Sequence, residues 1–386
     1  MENWQRAGFA LYVHWPFCAA KCPYCDFNSH VVGRVDHERW RAALLRDLSC
    51  WADKTSGRVL GSIFFGGGTP SLMAPETVGA VVEEARRRWM VANDLEVTLE
   101  ANPSSVEAGK FKGFVDAGVN RFSLGLQALD DLALRALGRL HDVRQGRAAL
   151  DVALALVDRV SFDLIYARQG QSLEDWEREL RLALSIAGEH LSLYQLTIED
   201  GTAFGARHAA GRLPGLPPED LAVDLYHLTQ QICAEAGLPG YEISNHARLG
   251  AECRHNLVYW NGGDWIGIGP GAHGRLTDHG ERIATAAERM PTSWLARNEQ
   301  VGTGTSSVEA MPRSEVVDEY VMMGLRRAGG ISLDRVGAHG GKLDQTAVDD
   351  LIGLGLLLQE GDYLRTTTDG ALLLDTILPH LLAVSA

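Results

Sequence analysis

No apolar run in the 386-residue chain approaches the ~20 residues that a membrane-spanning helix needs. The opening Met1-Glu2-Asn3-Trp4-Gln5-Arg6 lacks the long apolar core of a secretory signal. Together these two absences make a cytoplasmic location the expectation. Cations are also short, with 36 Lys and Arg against 50 Asp and Glu, a formal net charge of −14. An acidic surface of this kind repels a phosphate backbone, which excludes general nucleic-acid binding. Cysteine is sparse, six residues in all. Cys50, Cys233 and Cys253 are scattered, which excludes a disulfide framework and suggests buried thiols in a reducing compartment. The length is enough for two or three domains with a sizeable core.

The other three cysteines stand together. Cys18, Cys22 and Cys25 have the spacing C-x3-C-x2-C and follow an apolar run, Phe9 to Val13, that reads as a strand. Three thiolates do not close a four-ligand structural zinc site. A cubane iron–sulfur cluster held by three thiolates keeps one iron open for a small molecule. Two other readings stand beside this one. One is a zinc knuckle completed by His14 or His30; the other is thiols of no special role.

Strand and helix patterns alternate through the first 200 residues. Strands read at Phe9–Val13, Val59–Phe65, Leu95–Leu99, Arg121–Leu126, Val160–Ile165 and Leu191–Leu196. Helical spacing covers Asp36 to Trp51, Pro75 to Trp89, a segment capped by Ser104 or Ser105 to Ala117, Asp131 to Leu156 with a break near Gly138–Asp142, and Ser172 to Ala187. Six strands alternating with helices predict an α/β fold, a parallel sheet with helices outside. In barrel-like sheets the working residues sit at the carboxyl ends of strands. Unusual residues fall there repeatedly: the cysteine loop, Gly66-Gly67-Gly68-Thr69-Pro70, Glu100-Ala101-Asn102-Pro103, Gln127, and Asp163 near the end of the fifth strand. The glycines would let backbone amides approach a ligand. Glu100 would hold an ammonium group, Gln127 and Asp163 would bond ribose hydroxyls or the opposite, amino-acid end of a ligand, and Arg139 would pair with a carboxylate. A tight turn, a solvated strand end, ordinary barrel polar pairs and a surface cation are the plain alternatives.

Several stretches resemble one family. Cys18 to Cys25 followed by an aromatic is similar to the signature of the radical SAM enzymes. Phe64 to Ser71, Glu100 to Pro103, Val119 to Gln127 and Leu137-Gly138-Arg139-Leu140-His141 resemble its coproporphyrinogen-dehydrogenase-type branch. The resemblance implies an open (β/α)6 partial TIM barrel. It implies a [4Fe-4S] cluster on Cys18, Cys22 and Cys25, with S-adenosylmethionine on the open iron. It also implies that Tyr12, Tyr24, Gly67, Gly68, Thr69, Glu100, Gln127, Arg139 and Asp163 contact S-adenosylmethionine. Tyr166-Ala167-Arg168-Gln169-Gly170-Gln171 departs from the family's usual Gly-Leu-Pro-Gly-Gln.

Thr202 to Pro218 reads as a linker or surface loop, and Glu219 to Ala236 as a helix ending at Gly237. Beyond it lie His255-Asn256-Leu257-Val258-Tyr259-Trp260 and the glycine-rich Ile266 to Gly274, which backbone could lay against a ligand. A neutral imidazole can bind haem iron and aromatics can flank a porphyrin. The H-N-x-x-Y-W pattern resembles that of the haem-binding members of the same branch. This implies His255, Tyr259 and Trp260 as haem-side residues. From about Met311, helices around a hairpin turning at Gly361-Asp362 resemble a winged helix. The expected organisation is a barrel over 1–240, an extension over 241–310 and a winged-helix-like domain over 311–386.

Two functions fit these residues. One is a haem carrier that retains a cluster and S-adenosylmethionine site and hands haem to acceptor proteins, with an electron donor for the cluster and a possible homodimer. The other is oxidative decarboxylation of coproporphyrinogen, or another radical reaction. Phe27, where the dehydrogenase pattern has a further Cys, the short arm before Cys18, and the H-N-x-x-Y-W pattern favour the carrier.

Overall fold

Alternation along the strands builds the sheet. Leu11, Val13, Ile63, Phe65, Val97, Leu99, Phe122, Leu124, Phe162, Leu164, Leu191 and Leu193 are almost fully buried and join one core with the helices. The intervening positions include Tyr12, Ser62, Glu100, Arg121, Ser123, Ser161, Asp163 and Ser192. Each strand therefore has an apolar face under helices and a polar face that bonds to its neighbours.

The computed structural model describes residues 2–382. Six strands run parallel: β1 (Phe9–Trp15), β2 (Val59–Gly67), β3 (Met90–Ala101), β4 (Arg121–Gln127), β5 (Arg159–Tyr166) and β6 (His190–Gln195). The sheet continues with β7 (Asn245–Ala247), β8 (Asp264–Ile268), β9 (His273–Asp278), β10 (Glu281–Ala287) and β11 (Thr305–Ala310). Its order is β11-β10-β9-β8-β1-β2-β3-β4-β5-β6-β7, with β7 and β11 as unjoined edges, so the barrel is partial and open.

Helices cover the apolar face for local reasons. Helix His37–Lys54 starts where the Asp36 carboxylate accepts from the Arg39 amide at 3.1 Å, and it buries Trp40, Leu44, Leu48 and Trp51. Helix Leu173–Ile186 opens with a reciprocal cap between Ser172 and Asp175 and buries Trp176 and Leu180. The break between Asp131–Ala136 and Val143–Leu156 falls where expected. Ser104 caps the next turn by accepting from the Glu107 amide; the Ser105 side chain lies outside the described set.

Three expectations change. Ile266 belongs to a strand, β8, that pairs parallel with β1 from Phe9↔Asp264 to Val13↔Ile268. The sheet and its core therefore run past residue 240 without a break, and residues 241–310 extend the barrel sheet. Thr202–Pro218 is not a plain linker. Thr202 caps a helix, Ala203–Ala209, whose Phe204 is buried. Cys50 is half-buried, while Cys233 and Cys253 are buried, and all six cysteines are free thiols.

The C-terminal part has a core of its own, from Val317 to Leu381. Helices Arg313–Gly324, Leu333–Ala338 and Gln345–Gly353 pack with a three-stranded sheet of Ile331–Ser332, Tyr363–Thr366 and Leu357–Glu360. This is the helix and hairpin connectivity expected for a winged-helix-like module. Among the described residues no helix is long and apolar enough to cross a membrane.

Candidate functional site

The chain leaves β1 at Trp15 and enters the cysteine loop. The loop's two ends are joined, because Phe17–Cys18 pairs parallel with His30–Val31. His14 Nε2 meets the Asn28 carbonyl at 2.9 Å, and the Asn28 amide donates to Pro270 O and Arg289 O, both at 2.9 Å. The Phe204 amide donates to Pro23 O at 2.8 Å. The glycine-rich run after β8 braces this loop. At Gly271, with φ of 75°, an added Cβ would stand 2.5 Å from the Asn28 side-chain nitrogen.

Cys18, Cys22 and Cys25 are half-buried and line one cavity of about 370 Å³. Thr69 Oγ1 donates to Cys18 Sγ at 3.3 Å, and Arg139 Nη1 donates to Cys22 Sγ at 3.4 Å. Burial pushes the Cys18 and Cys25 thiols up from their ordinary range. Of the two candidates for a fourth zinc ligand, His14 has no nitrogen to spare. Both nitrogens of His14 are bonded, to Tyr12 and Asn28, and His30 Nε2 meets Asn28 Oδ1 at 3.2 Å. Among the described residues no three His, Cys, Asp or Glu side chains gather around a single-ion position. A cubane does not require that, since each thiolate binds a different iron.

The strand ends form the rest of the cavity. Gly67, at φ of 110°, donates its amide to Glu100 Oε2 at 3.2 Å. A Cβ on Gly67 would lie 2.6 Å from the His14 ring. One on Gly68 would lie 2.9 Å from Phe17 O and 3.1 Å from Cys18 Sγ. The glycines thus let β2 pass directly beneath the cysteine loop. Gln127 closes β4 with φ of 69°, a left-handed conformation unusual for a side chain of this size. Arg139 Nη2 donates to Asn102 Oδ1 at 2.6 Å and to Gly125 O at 2.9 Å, and its buried Nε has no partner. Burial, then the charge of Asp163, pushes Glu100 up to about 8. Burial pushes Asp163 up to about 6, against the opposing pull of Ser192 and Arg121. Two buried carboxyls held this way are relieved by a cationic ligand.

The cavity therefore gathers Cys18, Cys22, Cys25, Tyr24, Gly67, Gly68, Thr69, Glu100, Gln127, Arg139 and Asp163. Tyr12 does not line it. Its hydroxyl is 3.1 Å from His14 Nδ1, its ring packs against Phe64 and His255, and it feels the charge of Glu100. Sequence reasoning missed Asn102 as a bridge between Thr69 and Arg139, along with Ser123 and Tyr194. Asn102 stands in the Glu100-Ala101-Asn102-Pro103 stretch, and Tyr194 stands near the carboxyl end of β6, where the strand-end rule points.

The H-N-x-x-Y-W residues lie elsewhere. They form helix Arg254–Trp260 against β2. His255 is 1% exposed; its Nδ1 is 3.0 Å from Ser62 Oγ and its Nε2 2.6 Å from the Tyr259 hydroxyl. As folded, His255 offers no free nitrogen to an iron. The Tyr259 ring packs edge-on against His255 and Trp265, and Arg326 lies over Trp260 at 5.2 Å.

The comparisons with known proteins agree with this geometry. The model of the radical SAM superfamily matches residues 12–183. The chain is 38% identical to the mouse radical S-adenosyl methionine domain-containing protein 1, mitochondrial, over 97% of this chain and 87% of that protein. It is 37% identical to the haem chaperone HemW of Escherichia coli, over 97% of this chain and 98% of that protein. Among solved structures, coproporphyrinogen III oxidase (HemN) from Escherichia coli superposes with a TM-score of 0.80 at 20% identity, covering 96% of this chain and 89% of that one. That likeness concerns the fold.

Proposed function

The chain belongs to the radical SAM superfamily, and on that premise we propose that it is a haem chaperone, binding haem and passing it to acceptor proteins. Its cofactors are a [4Fe-4S] cluster and S-adenosylmethionine. The observation that carries the haem reading is the similarity to the haem chaperone HemW along almost the whole of both chains.

The residues present fit the cofactors. Cys18, Cys22 and Cys25 hold the cluster, and the cavity is of the size that takes a small molecule. When bound, the cluster supplies one-electron chemistry toward the sulfonium. The protein's own groups bind and orient. Glu100 accepts from the ligand's ammonium, and the Arg139 guanidinium, held by Asn102 and Gly125, faces its carboxylate. Gln127 and Asp163 bond its hydroxyls, and Tyr24 closes one side. Gly67 and Gly68 keep the backbone close enough for direct contact. Tyr12 sets His14, and His14 sets the loop.

Haem ligation by His255 requires helix Arg254–Trp260 to leave β2 and exchange two hydrogen bonds for an iron bond. In the resting fold the helix joins the barrel to the C-terminal module, and the motif's first job is to hold it there. The haem acceptor and the electron donor are protein partners in this reading, with the chain working in the cytoplasm and able to pair as a homodimer. Phe27, 61% exposed beside the cavity, supplies no further thiolate.

The test is anaerobic reconstitution with iron and sulfide followed by haem titration. The reading expects a saturable haem spectrum at a fixed ratio to protein. Absence of stoichiometric binding sinks it.

A further inference from the structure

We propose that the groove behind the cysteine loop, carrying Lys21, Arg135 and Arg207, is the docking surface for an acidic one-electron carrier protein that reduces the cluster. The inference rests on the cluster being held by Cys18, Cys22 and Cys25. Cys22 and Cys25 line the inner cavity, and they also line a second, outer groove with Pro23, Gly138, Thr202 and the three cations. The cysteine loop is therefore the thin wall between ligand and solvent. An electron entering here reaches the cluster without crossing the barrel.

Charge identifies the partner. The whole chain is acidic, at −14, yet the lining of this groove includes three cations and no carboxylate. Lys21, Arg135 and Arg207 are exposed. None has an acidic partner within salt-bridge distance among the described residues. The neighbouring Asp26 and Glu199 line the inner cavity, as Lys21 also does. Unpaired surface cations are ordinary one at a time. Three together against two cluster ligands, on a chain of net charge −14, form a local attractor for an anionic partner.

The elements that carry them are fixed to the loop. Phe204, on the helix bearing Arg207, donates its amide to Pro23 O, and its ring faces Tyr24 at 6.4 Å. Arg207 lies over the Phe204 ring at 5.9 Å. Gly138, one residue before Arg139, has φ of 70°, and a Cβ there would stand 2.6 Å from Pro23 Cδ. The segment from Thr202 thus carries part of a built surface. The step is a single electron passing from the reduced carrier to the cluster. The carrier is oxidised by one electron, the cluster reduced by one, and no bond or proton changes hands.

The test uses the full-length reconstituted protein and, as probe, a reduced flavodoxin, an acidic flavin carrier. The variant is Arg135→Glu with Arg207→Glu; the control is Arg313→Glu with Lys342→Glu in the C-terminal module. Complex affinity is measured by calorimetry and the rate of cluster bleaching by stopped flow, at low and high salt. The groove variant should bind flavodoxin and bleach at least about tenfold more weakly at low salt, with the salt dependence flattened. Iron content and reduction by dithionite should match wild type, and the control should behave as wild type. Unchanged flavodoxin affinity and rate overturn the proposal. Unchanged reduction with lost haem transfer also overturns it, by giving the groove to the haem acceptor. A wild-type protein that takes up no cluster defeats the cofactor assignment itself, which the iron content reports separately.

Discussion

Replacing His255 by Ala separates a structural histidine from a haem ligand. The imidazole is 1% exposed, with one nitrogen 3.0 Å from Ser62 Oγ and the other 2.6 Å from the Tyr259 hydroxyl. Truncation removes two hydrogen bonds and leaves two buried hydroxyls short of a partner, at about 1–2 kcal/mol apiece. A ring-sized void beside Phe64, whose ring stacks on His255 at 5.0 Å, adds a cavity cost of the same order. The sum is about 3–5 kcal/mol, and at ~2–4 °C per kcal/mol the apo-protein should unfold roughly 6–20 °C lower. Differential scanning calorimetry of haem-free wild type and variant reads this directly. A ligand waiting for iron contributes nothing to the apo-protein. An unchanged unfolding temperature combined with an altered haem spectrum would refute the core role argued here.

Three further outcomes follow from the site. Glu100 is held at about 8 by burial and by Asp163, so ammonium binding requires it to lose a proton at lower pH. S-adenosylmethionine affinity should fall by up to about tenfold per unit as pH drops below about 8, and Glu100→Gln should flatten that profile in calorimetric titrations. Gly68→Ala places a Cβ 2.9 Å from Phe17 O and 3.1 Å from Cys18 Sγ, so the cysteine loop must shift. Iron uptake on reconstitution should drop while far-ultraviolet dichroism stays unchanged. The His255 imidazole is lowered to about 3, first by burial and then by Arg121. Because the unfolded state takes up the proton first, this contribution to stability is intact above about 6.5 and is lost as pH falls toward 3, which urea unfolding at graded pH would reveal.

The barrel was legible because its strands announce themselves locally. Leu11, Val13, Ile63 and Phe65 recur at alternate positions, and Asp36, Ser172 and Gly237 mark helix ends. The site was legible because parallel strands bring their carboxyl ends to one rim, so Gly67, Glu100, Gln127 and Asp163 meet without any contact in sequence. What the chain hid are pairings between distant segments. Phe9 pairs with Asp264 across more than half the sequence, so β8 looked like a glycine-rich ligand loop. Gly271 is glycine because Asn28 approaches it, a fact that belongs to both segments at once. His255 looked free for a ligand because nothing near it in sequence reveals Ser62. Tyr12 was implied by the resemblance alone, and nothing near it in sequence reveals that its hydroxyl meets His14.

The most direct test of the haem-chaperone reading puts two assays on one reconstituted sample. In the first, haem-loaded protein is mixed with the apo form of a b-type haem protein and the acceptor's spectrum is followed. In the second, the same preparation, with S-adenosylmethionine and a reductant, is offered coproporphyrinogen III and its products are analysed by mass spectrometry. The account predicts haem appearing in the acceptor and no loss of propionate carboxyls. Decarboxylated porphyrinogen without haem transfer would contradict it.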